Sequence, residues 1–298
     1  MLRLLRRTST LYKYKHFSTQ TNKLAYISDI HLELWKNKMP IITEDKNIHG
    51  LALLGDIGNP FEKNYRDFLL DCSNKFNNIY LLAGNHEYYH TVDKLPNLRN
   101  YVIDRILHVV HDINKTTNNN NIIFLDNNYI SIKHNDQRHL LIGSTLWSHH
   151  NVYSKGPNTP QFIIDYNNFL NHQHFYSLEW ITRLLHKIKI YNEMTKENVS
   201  ATMMTHYVPS KQLIEQRFLS KRSQLKYKES PDQNRFFSNL DHLINDPLKH
   251  WLCGHTHSHM TKYINNVECG INTVGYVGKE FNNENKELQL EYVDLFPV

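Results

Sequence analysis

Two hydrophobic patterns alternate along the chain, and they predict its secondary structure. Short apolar runs rich in Ile, Leu, Val and Tyr are typical of β-strands, and apolar residues spaced three or four positions apart are typical of amphipathic helices. The strand pattern covers residues 24–30, 51–55, 79–83, 122–125, 129–133, 139–144, 201–205, 250–253, 263–267 and 288–293. The helical pattern covers residues 60–76, 91–113, 161–195 and, in pieces, 211–245.

The order of these elements predicts the fold class. Strands alternate with helices in the first part of the chain and follow one another as hairpins in the middle and at the end. This mixture indicates one mixed α/β domain with two packed sheets. We interpret residues 161–195 as a pair of helices that turn an apolar face to the core. No run of about 18 apolar residues occurs, so the sequence predicts no transmembrane helix.

The composition is that of an ordinary globular protein. Of the 298 residues, 40% are hydrophobic and 21% are charged, which excludes collagen-like, coiled-coil and wholly disordered chains. The three cysteines, Cys72, Cys253 and Cys269, are too scattered for a disulfide framework or a CxxC zinc site. Such cysteine usage indicates an intracellular, reducing environment.

The excess of basic over acidic residues lies in the first 23 residues of the chain. This leader has no acidic residue and carries Arg3, Arg6, Arg7, Lys13, Lys15 and Lys23. Without these six charges the net charge changes from +5 to −1, so a basic nucleic-acid-binding face is not indicated, although nucleic acid is not excluded. The leader is either a mitochondrial transit peptide or a disordered basic tail. We therefore divide the chain into a leader, 1–23, and a domain, 24–298, of mitochondrial or cytoplasmic location.

Polar clusters follow five of the apolar runs. These clusters lie at the carboxyl ends of the segments 26–31, 53–56, 82–87, 204–206 and 253–257. Ligand sites in open α/β sheets lie beyond the carboxyl ends of strands, where these clusters would converge. Oxygen ligands come from Asp29, Asp56 and Asn85, and imidazole ligands come from His31, His206, His255 and His257.

The donor types point to a metal centre. Carboxylate and imidazole without thiolate suit Mn²⁺, Fe or Zn²⁺ and argue against a structural zinc finger. Seven ligands exceed the need of one tetrahedral ion. With one bridging carboxylate they suit two divalent ions about 3.5–4 Å apart.

The five motifs, D-x-H, G-D, G-N-H-E, H and G-H-x-H, stand in an order that resembles the calcineurin-like metallophosphoesterase superfamily. The resemblance spans residues 24 to about 275, and residues 143–147 and 205–210 are similar to uncharacterised members. It implies a four-layer α-β-β-α sandwich with two mixed β-sheets. It also implies a binuclear phosphoesterase, in which a hydroxide that bridges the ions attacks the phosphate ester.

The resemblance also implies residue roles. Asp29, His31 and His257 would hold the first ion, Asn85, His206 and His255 would hold the second, and Asp56 would bridge. His86 would be the general acid for the leaving alkoxide, or would stabilise charge on the phosphate. Glu87 either orients a ligand histidine or is an acid favoured at a helix start.

Departures from the family pattern restrict the substrate. Where protein phosphatases carry Gly-Asp-x-Val-Asp-Arg-Gly, residues 55–60 read Gly-Asp-Ile-Gly-Asn-Pro, without the phosphate-binding arginine. Residues 275–298 are too few for the capping domain of repair nucleases. A small phosphodiester or phosphomonoester is the expected substrate. Residues 207–249 form either a basic lid over the site or a solvated surface segment.

Two other functions stay open on the sequence. A catalytically silent, metal-bound interaction scaffold would lack the acid histidine or several ligands, and none is missing here. A nuclease would favour a basic groove with interleaved aromatic residues. The metal identity, the choice between monoester and diester, and the oligomeric state do not follow from the sequence.

Overall fold

A computed structural model describes residues 17–18, 22–35, 38–89, 98–149, 161–216, 236–281 and 287–296. In chain order the strands are β1 (Phe17–Ser18), β2 (Lys23–Ile27), β3 (Gly50–Leu54), β4 (Ile79–Leu82), β5 (Ile122–Phe124), β6 (Asn128–His134), β7 (Gln137–Ser144), β8 (Ser200–Thr205), β9 (Leu248–Cys253), β10 (His259–Ile264), β11 (Val267–Asn272) and β12 (Glu291–Asp294). The α-helices are α1 (Lys63–Lys75), α2 (His86–Tyr89), α3 (Leu98–Thr117) and α4 (Gln161–Thr195).

These strands form two mixed sheets. One has the order β12-β2-β3-β4-β5, with β12 antiparallel to β2 and the other neighbours parallel. The other has the order β1-β6-β7-β8-β9-β11-β10, in which β6–β7 and β10–β11 are the antiparallel pairs. Since β2, β3 and β4 are parallel, and β8 and β9 are parallel, the carboxyl ends of each set lie along one sheet edge.

Alternate residues of each strand face opposite sides of its sheet, and in the central strands β3, β4, β8 and β9 most residues on both sides are buried. The inner core between the sheets includes Leu24, Tyr26, Ala52, Leu54, Tyr80 and Leu82 from the first sheet and Leu141, Met204 and Leu252 from the second. Intervening residues such as Ala25, Leu53, Leu81, Leu140, Ile142 and Met203 belong to a second buried cluster. That cluster also includes apolar residues of the helices, among them Phe68 of α1, Ile106 of α3 and Leu184 of α4.

Two sheets packed face to face, with helices against their outer faces, are the four-layer arrangement expected from the sequence. The predicted fold class is therefore confirmed. The predicted leader falls mostly on residues outside the described ranges. Two of its residues, Phe17–Ser18, pair in parallel with β6 at the edge of the seven-stranded sheet, and Lys23 begins β2.

Three predicted elements differ from the structure. Residues 161–195 form one continuous 35-residue helix rather than a pair, because the segment contains neither Pro nor Gly. The strand predicted at 263–267 covers instead the end of β10, the start of β11 and the turn between them, where Asn265 and Asn266 have φ of 48° and 65°. The described parts of 211–245 hold only short 3₁₀ turns, Lys211–Leu213 and Asp241–Leu243.

The middle of the expected lid, residues 217–235, lies outside the described ranges. Its flanks belong to the core, where Leu213, Ile214 and Phe237 are buried and Val208 pairs with Phe237 in an isolated parallel bridge. None of the helices in the described ranges has both the length and the apolar character that crossing a lipid bilayer requires.

Candidate metal centre

The loops that follow β2, β3 and β9 carry polar side chains on an unusual backbone. A positive φ is found at Asp29 (54°), His31 (53°), Asp56 (51°), His255 (71°) and His257 (47°). Left-handed backbone is uncommon for residues other than glycine and costs free energy. Strain of this kind persists where the surrounding structure enforces it, and here it bends each chain sharply at a strand end so that the side chains converge.

Two glycines let the strand-end loops approach one another. A Cβ atom on Gly84 would lie 2.2 Å from Asp56 Oδ1 and 2.8 Å from His206 Cδ2. One on Gly254 would lie 2.2 Å from Ser28 Oγ and 2.5 Å from Asp29 Oδ2. The motif glycines are therefore required by the closeness of neighbouring loops around the polar cluster.

Asp29, His31 and His257 form a first candidate metal subsite. Their ligand atoms lie within 4.8 Å of one another. Asp29 Oδ1 is 3.4 Å from His257 Nε2 and 4.0 Å from His31 Nε2, and the two Nε2 atoms are 3.0 Å apart. Asp29 and His31 are fully buried, and His257 is largely so. Ligands from both sheets meet here, because His257 follows β9 and the other two follow β2.

The second subsite is built by Asp56, Asn85, His206 and His255. His206 Nε2 lies 3.3 Å from Asp56 Oδ2 and 3.1 Å from Asn85 Oδ1. The other ring nitrogen, Nδ1, lies 2.9 Å from the Leu54 carbonyl oxygen, to which it can donate. The ligand atoms of Asp56, His206 and His255 are within 4.8 Å of one another. Both sheets again contribute, since His206 and His255 follow β8 and β9.

Both aspartates are ionised at neutral pH. Burial alone would raise the pKa of Asp29, but His257 and His206 lower it to about 2. Burial likewise opposes ionisation of Asp56, yet His206, His86 and His31 bring its pKa well below the ordinary value. The charged carboxylate is the form that a cation requires.

The residues present fit a divalent cation. Asp29 Oδ1 is buried without a hydrogen bond to any described residue, and two imidazole nitrogens face it. Burying a charged oxygen without a hydrogen bond is costly, whereas coordination to a cation would satisfy it. Carboxylate, amide and imidazole donors without thiolate suit Mn²⁺, Fe or Zn²⁺. The structure thus brings the seven predicted ligands together in two adjacent clusters.

His86, the predicted acid, lies at the edge of the centre. It begins α2, and its backbone N–H donates to Asp56 Oδ1 at 2.7 Å. Its ring lies 4.4 Å from the His31 ring, centroid to centroid, and the side chain is 19% exposed. Burial lowers the pKa of His86, but Asp56 and Glu33 outweigh that effect and raise it.

Glu33 is a site residue that the motif analysis missed. Its Oε1 lies 3.1 Å from His86 Nδ1 and 3.2 Å from His31 Nδ1, so one carboxylate oxygen orients both rings. Burial opposes its ionisation, but hydrogen bonds from the two histidines lower its pKa to about 2. The sequence gives one indication of this role, which is the position of Glu33 two residues after His31, close to the D-x-H motif.

Glu87 lies in the first turn of α2, as one of the two sequence interpretations expected, and it also has a task that neither interpretation foresaw. Its buried carboxylate accepts hydrogen bonds from three backbone N–H groups: those of Gly84 (2.8 Å), Asp56 (3.1 Å) and Ile57 (2.9 Å). It thereby ties the loop after β4 to the loop after β3. Burial and the charge of Asp56 raise the pKa of Glu87 to about 7.

A loop after β11 closes one side of the first subsite. Glu280 Oε2 lies 2.6 Å from His257 Nδ1 and accepts a hydrogen bond from the Tyr276 backbone N–H at 2.9 Å. The Tyr276 ring centroid is 4.4 Å from that of His257 and 4.8 Å from that of His31. Tyr276 and Glu280 carry no motif, so the sequence alone did not reveal them.

Comparisons with known proteins agree with the fold. No protein-family model matches the chain. The uncharacterized protein L509 of Acanthamoeba polyphaga mimivirus is 29% identical over 299 residues, covering 91% of this chain and 96% of that protein. The crystal structure of phosphopantetheinyl hydrolase from Mycobacterium tuberculosis is similar, with a TM-score of 0.55 and 12% identity, over 92% of this chain and 97% of that one. The chain therefore has a metallophosphoesterase-like fold.

Proposed function

We propose that the protein is a binuclear-metal-dependent phosphoesterase that hydrolyses a small phosphodiester or phosphomonoester. The observation that carries this proposal is the pair of adjacent clusters, Asp29–His31–His257 and Asp56–His206–His255, with His86 beside them. Asn85 completes the second cluster through its contact with His206. One constellation would thus supply two cation subsites and a proton donor, a combination that suits phosphoester hydrolysis.

Asp29, His31 and His257 would hold one ion, Asn85, His206 and His255 the other, and Asp56 would serve both. When bound, the ions supply Lewis acidity, which neutralises phosphoryl charge and lowers the pKa of water. The chain orients their ligands: Glu33 fixes His31, Glu280 fixes His257, and the Leu54 carbonyl fixes His206. Such outer partners set which ring nitrogen is free to bind a cation.

His86 would protonate the leaving oxygen. Its Nδ1 faces Glu33, and its raised pKa favours the protonated form near neutral pH. With Nδ1 bound to a carboxylate, Nε2 is the atom from which the proton would leave. Neither Gly-x-Ser-x-Gly nor a P-loop occurs in the sequence, and the proposal needs no serine or cysteine nucleophile.

The test uses the full chain, because Phe17–Ser18 and Lys23 are paired in the sheets. The protein is stripped of metal and reloaded with Mn²⁺. Hydrolysis of bis-p-nitrophenyl phosphate and p-nitrophenyl phosphate is then measured for the wild type, His86→Ala and Asp56→Ala. His186→Ala, at an exposed position on α4, is the matched control.

We expect Mn²⁺-dependent turnover that collapses in His86→Ala and Asp56→Ala and persists in His186→Ala. The preferred ester then distinguishes a diesterase from a monoesterase. Two bound Mn²⁺ ions without turnover of either ester would contradict the enzymatic proposal and favour a metal-bound scaffold. Turnover that is independent of metal would contradict the assigned chemistry.

A further inference from the structure

The loop that carries Tyr276 is fixed to the first metal motif. The Val274 N–H donates to the Ser28 carbonyl at 3.0 Å, and the Gly275 N–H donates to the Asp29 carbonyl at 3.0 Å. The backbone of the loop therefore continues the contact between β2 and β11. These two hydrogen bonds hold the loop to Ser28, just after β2, and to the proposed metal ligand Asp29. The loop therefore presents its side chains to the centre at a fixed position.

The Tyr276 ring lies among the histidines of the first subsite. In addition to its contacts with His31 and His257, its centroid is 6.2 Å from that of His86. The side chain is only partly exposed. Tyr276 therefore borders the space between a subsite for a cation and the residue placed to protonate the leaving group.

The Tyr276 hydroxyl makes no hydrogen bond to any residue in the described ranges. The ring that carries this hydroxyl lies 4.4 Å from the His257 ring and 4.8 Å from the His31 ring, centroid to centroid, so it stands beside the first subsite. Lys279 adds positive charge on the same side, with Nζ 5.6 Å from the ring centroid. A phenol hydroxyl that lacks a hydrogen-bond partner beside a cation site is a ready donor to an anionic oxygen.

Among the described residues, the other neutral side-chain donors beside the centre include the Asn85 amide and the Tyr89 hydroxyl, and Asn85 Nδ2 already donates to the Tyr89 oxygen at 2.7 Å. Most of the remaining described side chains of the centre are carboxylates and imidazoles, and residues 55–60 include no arginine. We propose that the Tyr276 hydroxyl donates a hydrogen bond to a non-bridging oxygen of the phosphoryl group held at this centre. This inference rests on the proposed function and assigns Tyr276 as a substrate-binding residue of that site.

Tyr276→Phe separates this role from simple packing, because phenylalanine keeps the ring against His31 and His257 and removes only the donor. The probe is inorganic phosphate, titrated calorimetrically into the full chain loaded with Mn²⁺, with the Mn²⁺ content measured in parallel. Tyr263→Phe is the matched control, since Tyr263 is 67% exposed on β10 and donates to Glu268 at 3.0 Å.

We expect Tyr276→Phe to bind phosphate about tenfold more weakly, as the loss of one hydrogen bond to a charged group predicts. Its Mn²⁺ content and the phosphate affinity of Tyr263→Phe should equal those of the wild type. An unchanged phosphate affinity in Tyr276→Phe overturns the inference, and so does a loss of Mn²⁺, which would show a packing role. A wild type that binds Mn²⁺ but neither binds phosphate nor hydrolyses esters overturns the proposed function as well.

Discussion

His86 Nδ1 lies 3.1 Å from Glu33 Oε1, although 53 positions separate the two residues. Glu33 comes from the loop after β2 and His86 from the start of α2, so this contact joins two strand ends of the first sheet. The same oxygen also faces His31 Nδ1. A single carboxylate thus couples the position of the proposed acid to that of a proposed metal ligand.

Glu33→Gln should impair proton donation more than cation binding. The glutamine amide can still form a hydrogen bond, but it removes the charge that orients and supports a protonated His86. We expect hydrolysis of phenyl esters, whose leaving groups need a proton, to fall roughly 100-fold, as loss of general acid catalysis predicts. Hydrolysis of p-nitrophenyl esters should fall much less.

The measurement is kcat across aryl phosphate esters of increasing leaving-group pKa, with Mn²⁺ content determined for each variant. Glu44→Gln, an exposed position before β3, is the control. An equal fall for every ester would contradict the positioning role and indicate a purely structural defect.

Glu87→Gln should destabilise the fold. Both carboxylate oxygens accept hydrogen bonds from backbone N–H groups. In glutamine an NH₂ group would replace one of these oxygens and would face a backbone N–H, so that two donors would meet without an acceptor. At a pH above the Glu87 pKa of about 7, we expect the free energy of unfolding to fall by about 2–4 kcal/mol, since hydrogen bonds to a charged group are lost in a buried site. Urea unfolding measures it. Glu193→Gln, exposed at the end of α4, should leave the midpoint nearly unchanged, and an equal effect of both would refute the prediction.

Gly84→Ala should weaken Mn²⁺ binding by at least about tenfold, because the added methyl would lie 2.2 Å from Asp56 Oδ1 and 2.8 Å from His206 Cδ2, so these proposed ligands must be displaced. Calorimetric titration with Mn²⁺ measures the affinity. Gly278→Ala serves for comparison: nothing lies within 4 Å of its added methyl, and its cost arises from a φ of +82°. It should lose about 1 kcal/mol of stability while keeping its Mn²⁺ affinity. Unchanged Mn²⁺ binding by Gly84→Ala would refute the prediction.

Acid should destabilise the protein through histidines remote from the metal motifs. Burial lowers the pKa of His250 to about 4, and the Thr202 hydroxyl lies 3.0 Å from its Nδ1. The unfolded chain takes up this proton near pH 6.5, and the folded chain only near pH 4. Between these values the unfolded state binds more protons, so stability falls as the pH decreases.

For His250 alone the loss between pH 7 and pH 5 is about 2 kcal/mol. Urea unfolding at both pH values measures it, and His250→Gln should reduce the difference by that amount. His186→Gln, exposed on α4, should leave the difference unchanged. If His250→Gln retained the full pH dependence, the neutral buried state of His250 would be excluded.

The sequence located the proposed ligands because each motif is local and follows an apolar strand. Asp56, for example, comes two residues after β3, and His206 comes directly after β8. Parallel pairing then brings those ends to one edge, as the alternation of strands and helices indicated. Short-range pattern and strand direction were sufficient at these positions.

Other features depend on contacts that no local pattern encodes. Tyr276 reaches His31 across 245 positions of the chain, and nothing in its own neighbourhood predicts that contact. The left-handed backbone at Asp29 and His257 is imposed by the surrounding loops. The hairpin turn at Asn265 and Asn266 is different. Asn tolerates a positive φ, so these two adjacent residues were a local indication of a turn within the predicted strand.

Each of the two proposed metal subsites draws its side chains from both sheets, and this has a mechanical consequence. A cation bound by Asp29 and His257, or by Asp56 and His206, would cross-link the two sheets at the edge where these strands end. The sheets would then be joined there by coordination bonds in addition to the apolar contacts of the inner core. Cation binding should therefore be measurable without any substrate: amide hydrogen exchange at the ends of β3 and β8 should be slower with the cation than without it.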